Sequence, residues 1–209
     1  MMRIEFTEVC QRFHGRKIFG PLDAILSGGK ITAVTGQNGS GKSTFLKLAA
    51  HLLLPSTGKV MVSEQGAVLQ KEALRQRIAM VTPELRFYDR LTARENMDFL
   101  LGMRGMHLDE DNYRHLLARV GLVEKAVAHS YAGEFSTGMR QRLKIAVLLA
   151  AEADIWLLDE PGANLDKGGR DLLAAEIRQA AKRGVLVALA TNDPGEEALA
   201  DETISLAGG

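Results

Sequence analysis

The chain has one cysteine, no long apolar run and no excess of either charge, and each absence excludes a class of function. Cys10 is the only cysteine among 209 residues, which excludes a disulfide framework and a cysteine-based metal site. The longest apolar run covers residues 145–151, far short of the roughly 18 apolar residues of a membrane span. Twenty-six basic and 26 acidic residues cancel, so no overall field attracts nucleic acid or anionic lipid. We therefore expect no nucleic-acid partner.

The N-terminal stretch also lacks a targeting signal. Residues 1–13, MMRIEFTEVCQRF, carry charges at Arg3, Glu5 and Glu8 and have no apolar core of the kind found in signal peptides. The chain contains no internal repeat, low-complexity stretch or proline-rich linker. We expect a cytoplasmic protein with no regulatory domain after a last strand that ends near Gly209.

Apolar runs typical of β-strands alternate with stretches of helical spacing, which favours a sheet covered by helices. Strands are predicted over residues 30–35, 58–62, 78–81, 155–158, 185–190 and 202–207. Helices are predicted over residues 43–51, 92–103, 109–120 and 124–129. Thr92 followed by Glu95 forms a capping box, which predicts the start of the second of these helices.

A glycine-rich loop follows the first predicted strand. GQNGSGKST, residues 36–44, fits the phosphate-binding spacing G-x-x-x-x-G-K-[ST]. Its glycines allow backbone N–H groups to converge on a phosphate, and the following helix adds the positive end of its dipole. The Lys42 side chain should contact the β- and γ-phosphates, and the Ser43 hydroxyl should bind Mg²⁺. Kinases, GTP switches, nucleic-acid motors and transport ATPases all use such a loop.

Another predicted strand ends in two carboxylates, in IWLLDE at residues 155–160. Such a strand would bring Asp159 to the Mg²⁺ side of the phosphates, and Glu160 would orient or deprotonate the attacking water. The chain has no Asn-Lys-x-Asp motif for reading guanine. Because that motif is missing, the carboxylate pair argues against a GTP switch.

A second anion-binding feature lies at residues 135–143, FSTGMRQRL. Ser136 and Gly138 precede a basic helix, and the N-terminus of a helix attracts anions. Two phosphate-binding features in one chain would serve one nucleotide only if they faced each other.

Together the motifs resemble those of the ATP-binding cassette (ABC) family over nearly the whole chain. Residues 36–44 resemble its Walker A loop, residues 156–161 its Walker B strand, residues 135–143 a variant of its LSGGQ signature, and residues 163–166, ANLD, its D-loop. In that family the signature faces the Walker A loop of a second molecule, so two ATP molecules lie within a head-to-tail dimer. The resemblance implies that Ser136, Thr137 and Gly138 contact the partner subunit's nucleotide.

The resemblance also implies a role for each matching residue. The implied ATP-binding residues are Phe13, Gly36, Asn38, Gly39, Ser40, Gly41, Lys42, Ser43 and Thr44. The implied catalytic residues are Lys42, Glu84, Glu160 and Asn192, the Mg²⁺ ligands are Ser43, Glu84 and Asp159, and the D-loop residue is Asp166. Phe13 lies where the family places an aromatic ring that stacks on adenine; an ordinary core phenylalanine is the alternative.

Three features depart from the family pattern. MVTPE has Glu84 where the family usually has glutamine, which adds a negative charge near the phosphates. Thr137 and Met139 replace the first glycine and the glutamine of the signature, which should alter the coupling surface more than the phosphate contact. Asn192 replaces a switch histidine that touches the γ-phosphate, and a neutral amide forms weaker hydrogen bonds than a charged group. We therefore expect slow ATP hydrolysis.

The implied fold is an α/β P-loop NTPase with a three-layer core, an antiparallel β edge and an inserted helical subdomain. One cassette would span residues 1–209, with its catalytic core at residues 1–84 and 134–209 and its helical subdomain at residues 85–133. It would hydrolyse ATP with Mg²⁺ as a homodimer or heterodimer. The membrane-spanning subunits of the transporter would be separate chains, with the cassette bound at the inner face of the cell membrane.

The direction of transport and the alternatives rest on finer features. The compact size and the signature variant resemble export-type cassettes more than importers. A soluble, non-transport cassette ATPase of DNA repair or translation usually has coiled-coil insertions or two cassettes, and this chain has neither. A nucleotide kinase would account for the loop at residues 36–44 but not for residues 135–143 and 163–166. We therefore favour the transporter ATPase.

Overall fold

A computed structural model of the chain describes residues 1–122, 127 and 130–207. It contains two compact units, one formed by Met1–Met80, Ala153–Glu160 and Ile177–Gly209, the other by Val81–Glu152 and Pro161–Glu176. The helix predicted over residues 124–129 lies outside the described residues except for Val127. In the part of the chain that is described, no helix is long and apolar enough to cross a membrane.

An antiparallel sheet opens the first unit. Its strands are β1 (Met2–Phe13), β2 (Arg16–Ser27), β4 (Thr57–Glu64) and β5 (Ala67–Val68), in the order β2-β1-β4-β5. In β1 the buried residues alternate with more exposed ones, as in Met2, Ile4 and Phe6. This alternation of period two is what an antiparallel sheet with one buried face requires, and the sheet confirms the predicted antiparallel edge.

The second sheet is built from strands that the sequence predicts. They are β3 (Ile31–Thr35), β6 (Ile78–Val81), β7 (Ile155–Asp159), β8 (Leu186–Ala190) and β9 (Glu202–Ser205), in the order β6-β7-β8-β3-β9. Strand β3 pairs in parallel with β8 and β9, and β7 pairs in parallel with β8. Every residue of β7 and β8 is buried, as expected of strands covered on both faces.

The core of the first unit fixes the helix that follows the glycine-rich loop. Helix α1 (Lys42–Ala49) buries Phe45, Leu46, Leu48 and Ala49, as its apolar spacing predicts. The ring of Phe45 stacks on that of Phe6 with centroids 4.3 Å apart. Helix α2 (Lys71–Arg77) is not predicted from the sequence, because it buries only Leu74 and therefore has no apolar periodicity.

Helices make up the second unit. They are α3 (Ala93–Gly102), α4 (Glu110–Arg119), a 3₁₀ turn (Ala132–Glu134) and α5 (Thr137–Ala150), while α6 (Lys167–Lys182) begins there and α7 (Pro194–Glu197) belongs to the first unit. The predicted helices over residues 92–103 and 109–120 are thereby confirmed. The second unit is longer than the helical subdomain predicted at residues 85–133, and the functional division of the cassette stays a prediction.

Replacing the N-cap of α3 tests its predicted capping box. The Thr92 hydroxyl accepts from the Glu95 N–H at 3.2 Å, and the Glu95 carboxylate accepts from the Thr92 N–H at 2.8 Å. Thr92→Ala should lower the free energy of unfolding by about 1 kcal/mol in urea denaturation, whereas Thr92→Ser should retain most of it. Equal losses in both variants would contradict a role for the hydroxyl.

The capping box also has a pH dependence. Hydrogen bonds from the Thr92 backbone and hydroxyl lower the pKa of Glu95. Because the folded pKa is depressed, the box stabilises α3 above the unfolded pKa of this carboxyl. That stabilisation is lost as the pH falls through the folded value.

Candidate functional site

The N-terminus of α1 is suited to an anion because no side chain caps it. Its N-cap is Gly41, which supplies no side-chain acceptor. By contrast, the side chains of Thr92, Asp109 and Ser136 accept backbone hydrogen bonds at the N-termini of α3, α4 and α5. The first N–H groups of a helix have no acceptor within the helix, and at α1 the N-cap side chain supplies none.

Two glycines set the shape of the loop at residues 36–44. Gly41 has φ 99°, and a Cβ there would lie 2.6 Å from Ile18 and 2.7 Å from Phe19. A Cβ at Gly36 would lie 2.5 Å from the Ser40 hydroxyl. That hydroxyl is buried and has no hydrogen-bond partner among the described residues. The backbone therefore folds as tightly as only glycine allows, around a polar atom that suits a phosphate ligand.

The Lys42 side chain lies across the loop. It is only 7% exposed, and its ammonium donates to the carbonyls of Gly36 at 2.8 Å and Gln37 at 3.4 Å. Ser43 and Thr44 follow it in the first turn of α1 and are partly buried. The predicted phosphate-binding groups thus converge on one short segment of backbone.

The first carboxylate lies at the same edge of the sheet as the loop. Asp159 at the end of β7 pairs with Ala190 of β8, and Ala190 pairs with Val34 of β3, two residues before Gly36. Adjacent strands are about 4.8 Å apart, so β7 and β3 lie about 10 Å apart. Asp159 is 4% exposed. This spacing suits a carboxylate that reaches a metal ion held on the phosphates.

Glu160 has a backbone conformation that is unusual for its residue type. Its φ is 47°, in the left-handed region, and its N–H donates to the Ala190 carbonyl at 2.9 Å. Non-glycine residues in this region cluster at functional sites. The turn leaves the exposed Glu160 side chain at the end of a buried strand, where it is a candidate for a general base.

Asn192 contacts the loop directly. Its side-chain amide donates to the side-chain oxygen of Asn38 at 2.6 Å. The preceding residue, Thr191, donates its N–H to the Val34 carbonyl at 3.2 Å. The amide at the predicted switch position is thus bonded to a residue of the phosphate-binding loop, in the same compact unit.

Phe13 lies at the exposed tip of the β1–β2 hairpin. It ends β1, and the turn follows at His14 and Gly15, both with positive φ. Its side chain is 40% exposed, so the alternative of a core phenylalanine is wrong. An exposed ring suits stacking on a base, and that role stays a prediction.

The signature-like segment of the second unit packs against residues 163–166. Ser136 is the N-cap of α5, and its hydroxyl oxygen accepts from the Met139 N–H at 3.2 Å. A Cβ at Gly138 would lie 3.0 Å from the Asn164 carbonyl oxygen. Ser136 and Thr137 are exposed. The exposed end of α5 therefore presents a hydroxyl, backbone N–H groups and the positive end of a helix dipole.

Asp166 caps the helix that follows it. One of its carboxylate oxygens accepts from the Gly169 N–H at 2.8 Å and from the Arg142 guanidinium at 2.6 Å. The Gly169 N–H lowers the pKa of Asp166 most, and Arg142 adds to the effect. Arg142 also donates to the Val120 carbonyl at 2.6 Å. The structure therefore gives Asp166 a local structural role, and its part in catalysis stays a prediction.

The predicted site residues fall into two groups. The first unit brings together the loop at residues 36–44, Asp159, Glu160 and Asn192, and it also contains Phe13. The second unit contains the segment at residues 136–138, Asp166 and the exposed Glu84.

A family comparison identifies the chain. A model of the family described as ABC transporter matches residues 19–163, which include the glycine-rich loop, the signature-like segment and both carboxylates. The chain belongs to the ABC transporter family. It is an ATP-binding cassette, and the predicted family is confirmed.

Several known cassettes match this chain over most of its length. The cytochrome c biogenesis ATP-binding export protein CcmA of Bradyrhizobium diazoefficiens is 36% identical over 189 residues, 88% of this chain and 88% of CcmA. The glutamine transport ATP-binding protein GlnQ of Escherichia coli is 32% identical over 198 residues, 92% of this chain and 82% of GlnQ. The dimeric bacterial ABC transporter cassette MJ0796 has a TM-score of 0.84 at 23% identity, covering 97% of this chain and 94% of that one. The predicted P-loop fold is confirmed.

Sequence reasoning missed two polar residues on the buried face of α5 in the cassette. Gln141 and Lys144 are 7% and 8% exposed. Gln141 donates to the Pro161 carbonyl at 2.6 Å, and Lys144 donates to the Thr82 carbonyl at 2.8 Å. The available signal was their spacing, since residues three apart share a helix face. Polar residues there interrupt the apolar face formed by neighbours such as Leu148.

Proposed function

We propose that this cassette hydrolyses ATP with Mg²⁺ to power a membrane transporter whose membrane-spanning subunits are separate chains. One observation carries the proposal. Asp159 ends β7, and the glycine-rich loop, Glu160 and Asn192 follow β3, β7 and β8. All lie at the carboxyl edge of one parallel sheet, where ligands of open α/β sheets bind. The ATP-binding relatives of transport systems support the coupling to transport.

Each of the predicted site residues would contact a different part of the bound nucleotide, its metal ion or the attacking water. Backbone N–H groups at the start of α1 and the ammonium of Lys42 would hold them, and the exposed ring of Phe13 would stack on adenine. Bound Mg²⁺ supplies positive charge that stabilises the phosphates as they react. Glu160 would accept a proton from the attacking water.

The donor set fits Mg²⁺ bound with its nucleotide. Among the described residues there is no cluster of three or more histidine, cysteine, aspartate or glutamate side chains that could hold a metal alone. Mg²⁺ is usually held by one or two carboxylates together with substrate phosphates rather than by a cage of protein ligands. Asp159 and Ser43 would supply the protein ligands, with Glu84 as a further candidate.

The active form would be a head-to-tail dimer, either of this chain or with a second cassette. Ser136, Thr137 and Gly138 would face the nucleotide of the partner subunit. The Ser136 oxygen accepts the Met139 N–H, so the hydroxyl hydrogen is available to donate to a phosphate. The structural neighbour MJ0796 is itself dimeric, which supports this arrangement.

Export is the direction we propose, with the cassette bound at the cytoplasmic face of the cell membrane. The support is the similarity to CcmA, an export protein, over 88% of both chains. We further propose that hydrolysis is slow. Asn192 offers the γ-phosphate a neutral amide, and Glu84 adds a negative charge where the family usually has glutamine.

Partner capture tests the transporter function. A tagged Glu160→Gln variant should bind ATP, hydrolyse it much more slowly than the wild type, and therefore stay longer in the closed dimer. We expect it to recover a multi-span membrane protein from detergent-solubilised native membranes, and Lys42→Ala, which loses phosphate binding, should recover less. Recovery of soluble or ribosomal partners alone would contradict the proposal and would support a non-transport cassette ATPase.

A further inference from the structure

Lys144 is a buried cation on the helix that begins at the signature. It is 8% exposed and is flanked on α5 by the buried residues Leu143 and Ile145. Lysine is rarely buried without partners, because removing an ammonium from water is costly. Its position therefore requires nearby acceptors and negative charge.

The acceptors belong to the turn that carries Glu84. The Lys144 ammonium donates to the carbonyls of Thr82 at 2.8 Å and Pro83 at 3.3 Å. The turn is closed locally by Leu85, whose N–H donates to the Thr82 hydroxyl at 3.2 Å. The two carbonyls belong to the two residues before Glu84, so the lysine holds the backbone from which this carboxylate projects.

The negative charge is that of Glu84. Burial lowers the pKa of Lys144, the carboxylate of Glu84 opposes that effect, and the guanidinium of Arg86 reinforces it. Arg86 and Arg140 line the same cavity as Lys144, together with one acid, Asp89, which is paired with Arg140 at 2.9 Å. Of the charged groups that act on Lys144, Glu84 is the acid, and the hydrogen bonds of Lys144 to Thr82 and Pro83 place the ammonium next to the backbone that leads to it.

We propose that Lys144 is a positioning residue for Glu84. Its hydrogen bonds hold the turn at residues 82–85 on α5, and its positive charge attracts the carboxylate that projects from that turn. A glutamine at position 84 would lack the charge that attracts Lys144, so substitutions at the two positions should be coupled. The catalytic consequence rests on the proposed function, because it assumes that Glu84 acts in ATP hydrolysis. The structural pairing does not depend on that assumption.

A double-mutant cycle separates charge pairing from packing. The purified full-length chain would be compared with Lys144→Met, Glu84→Gln and the double variant, first by thermal unfolding without nucleotide. Lys144→Met should lower Tm by about 4 °C in the wild-type background and by about half as much, or less, in the Glu84→Gln background. Lys144→Gln keeps hydrogen-bond donors without the charge and should behave like Lys144→Met, whereas Lys144→Arg should retain most of the stability.

ATPase assays on the same proteins provide the second readout. Lys144→Met should lower kcat about tenfold in the wild-type background and less than about twofold in the Glu84→Gln background. Lys182→Met, which removes an exposed lysine, is the matched control and should change neither Tm nor kcat. If the wild-type chain did not hydrolyse ATP, the proposed function would fail, and the cycle in Tm would still test the pairing.

Two results would overturn the proposal. Equal losses of Tm in the wild-type and Glu84→Gln backgrounds would make Lys144 a packing residue only. No loss in either background would show that the turn needs no support from α5. If Lys144→Met does not fold, the Lys144→Gln and Lys144→Arg pair decides between the same outcomes, since the first lacks the positive charge and the second keeps it.

Discussion

Glu160→Gln is expected to bind ATP normally and to hydrolyse it about 10²–10⁴-fold more slowly, the range by which a positioned general base accelerates a reaction. Glutamine matches the size of glutamate and retains an oxygen that can accept a hydrogen bond. It cannot take a proton from water at neutral pH. The loss should therefore appear in kcat with little change in KM.

The backbone of Glu160 indicates that the substitution should change the chemistry and leave the fold intact. Its φ of 47° and the hydrogen bond from its N–H to Ala190 fix where the side chain starts. The substitution leaves that backbone unchanged, so folding should be preserved. An unfolded variant would not be informative, and a melting curve within about 2 °C of wild type is the condition for interpreting the assay.

The chain offers a matched control for this experiment. Glu152 is also an exposed glutamate with a left-handed backbone, at φ 45°, and it lies outside every motif. Glu152→Gln should hydrolyse ATP at the wild-type rate. Phosphate release in a coupled assay, with nucleotide binding measured separately, checks both variants. Turnover by Glu160→Gln at more than about a tenth of the wild-type rate would assign the general base to another residue.

The parts of the fold that could be predicted are those in which the structure of a segment depends on the sequence of that segment alone. β7 and β8 are continuous apolar runs, and their burial on both faces follows from composition alone. The capping box at Thr92 is similarly local, since both partners lie within one turn. Helix α2 was missed because its exposed residues show no apolar period.

The candidate site divides in the same way. Spacing within nine residues predicts the phosphate-binding loop, and its geometry agrees with that prediction. The bond between Asn38 and Asn192 joins residues 154 positions apart, and the contact of Lys144 with Thr82 spans 62 positions. Such pairs depend on how helices and strands pack, so sequence patterns of short range do not reveal them.

Asn192→His is expected to raise the rate of ATP hydrolysis by about one to three orders of magnitude. A histidine at this position can carry a positive charge, and charge-assisted hydrogen bonds are about twice as strong as neutral ones. Losing one well-placed donor to developing charge typically lowers kcat by about 10²–10³-fold. Restoring a stronger donor should act in the opposite direction and should raise kcat more than it changes KM.

The hydrogen bond between Asn192 and Asn38 provides a partner that a histidine at position 192 can also use. Asn38 accepts a hydrogen bond from residue 192 at 2.6 Å, and a ring N–H of histidine can donate to the same oxygen while the other nitrogen faces the phosphates. Asn192→Ala removes the donor altogether and should fall below the wild-type rate. Steady-state phosphate release over a range of ATP concentrations gives kcat and KM for the three proteins. Equal turnover by the asparagine and histidine forms would mean that the γ-phosphate is stabilised elsewhere, and the neutral amide would then not be the cause of slow hydrolysis.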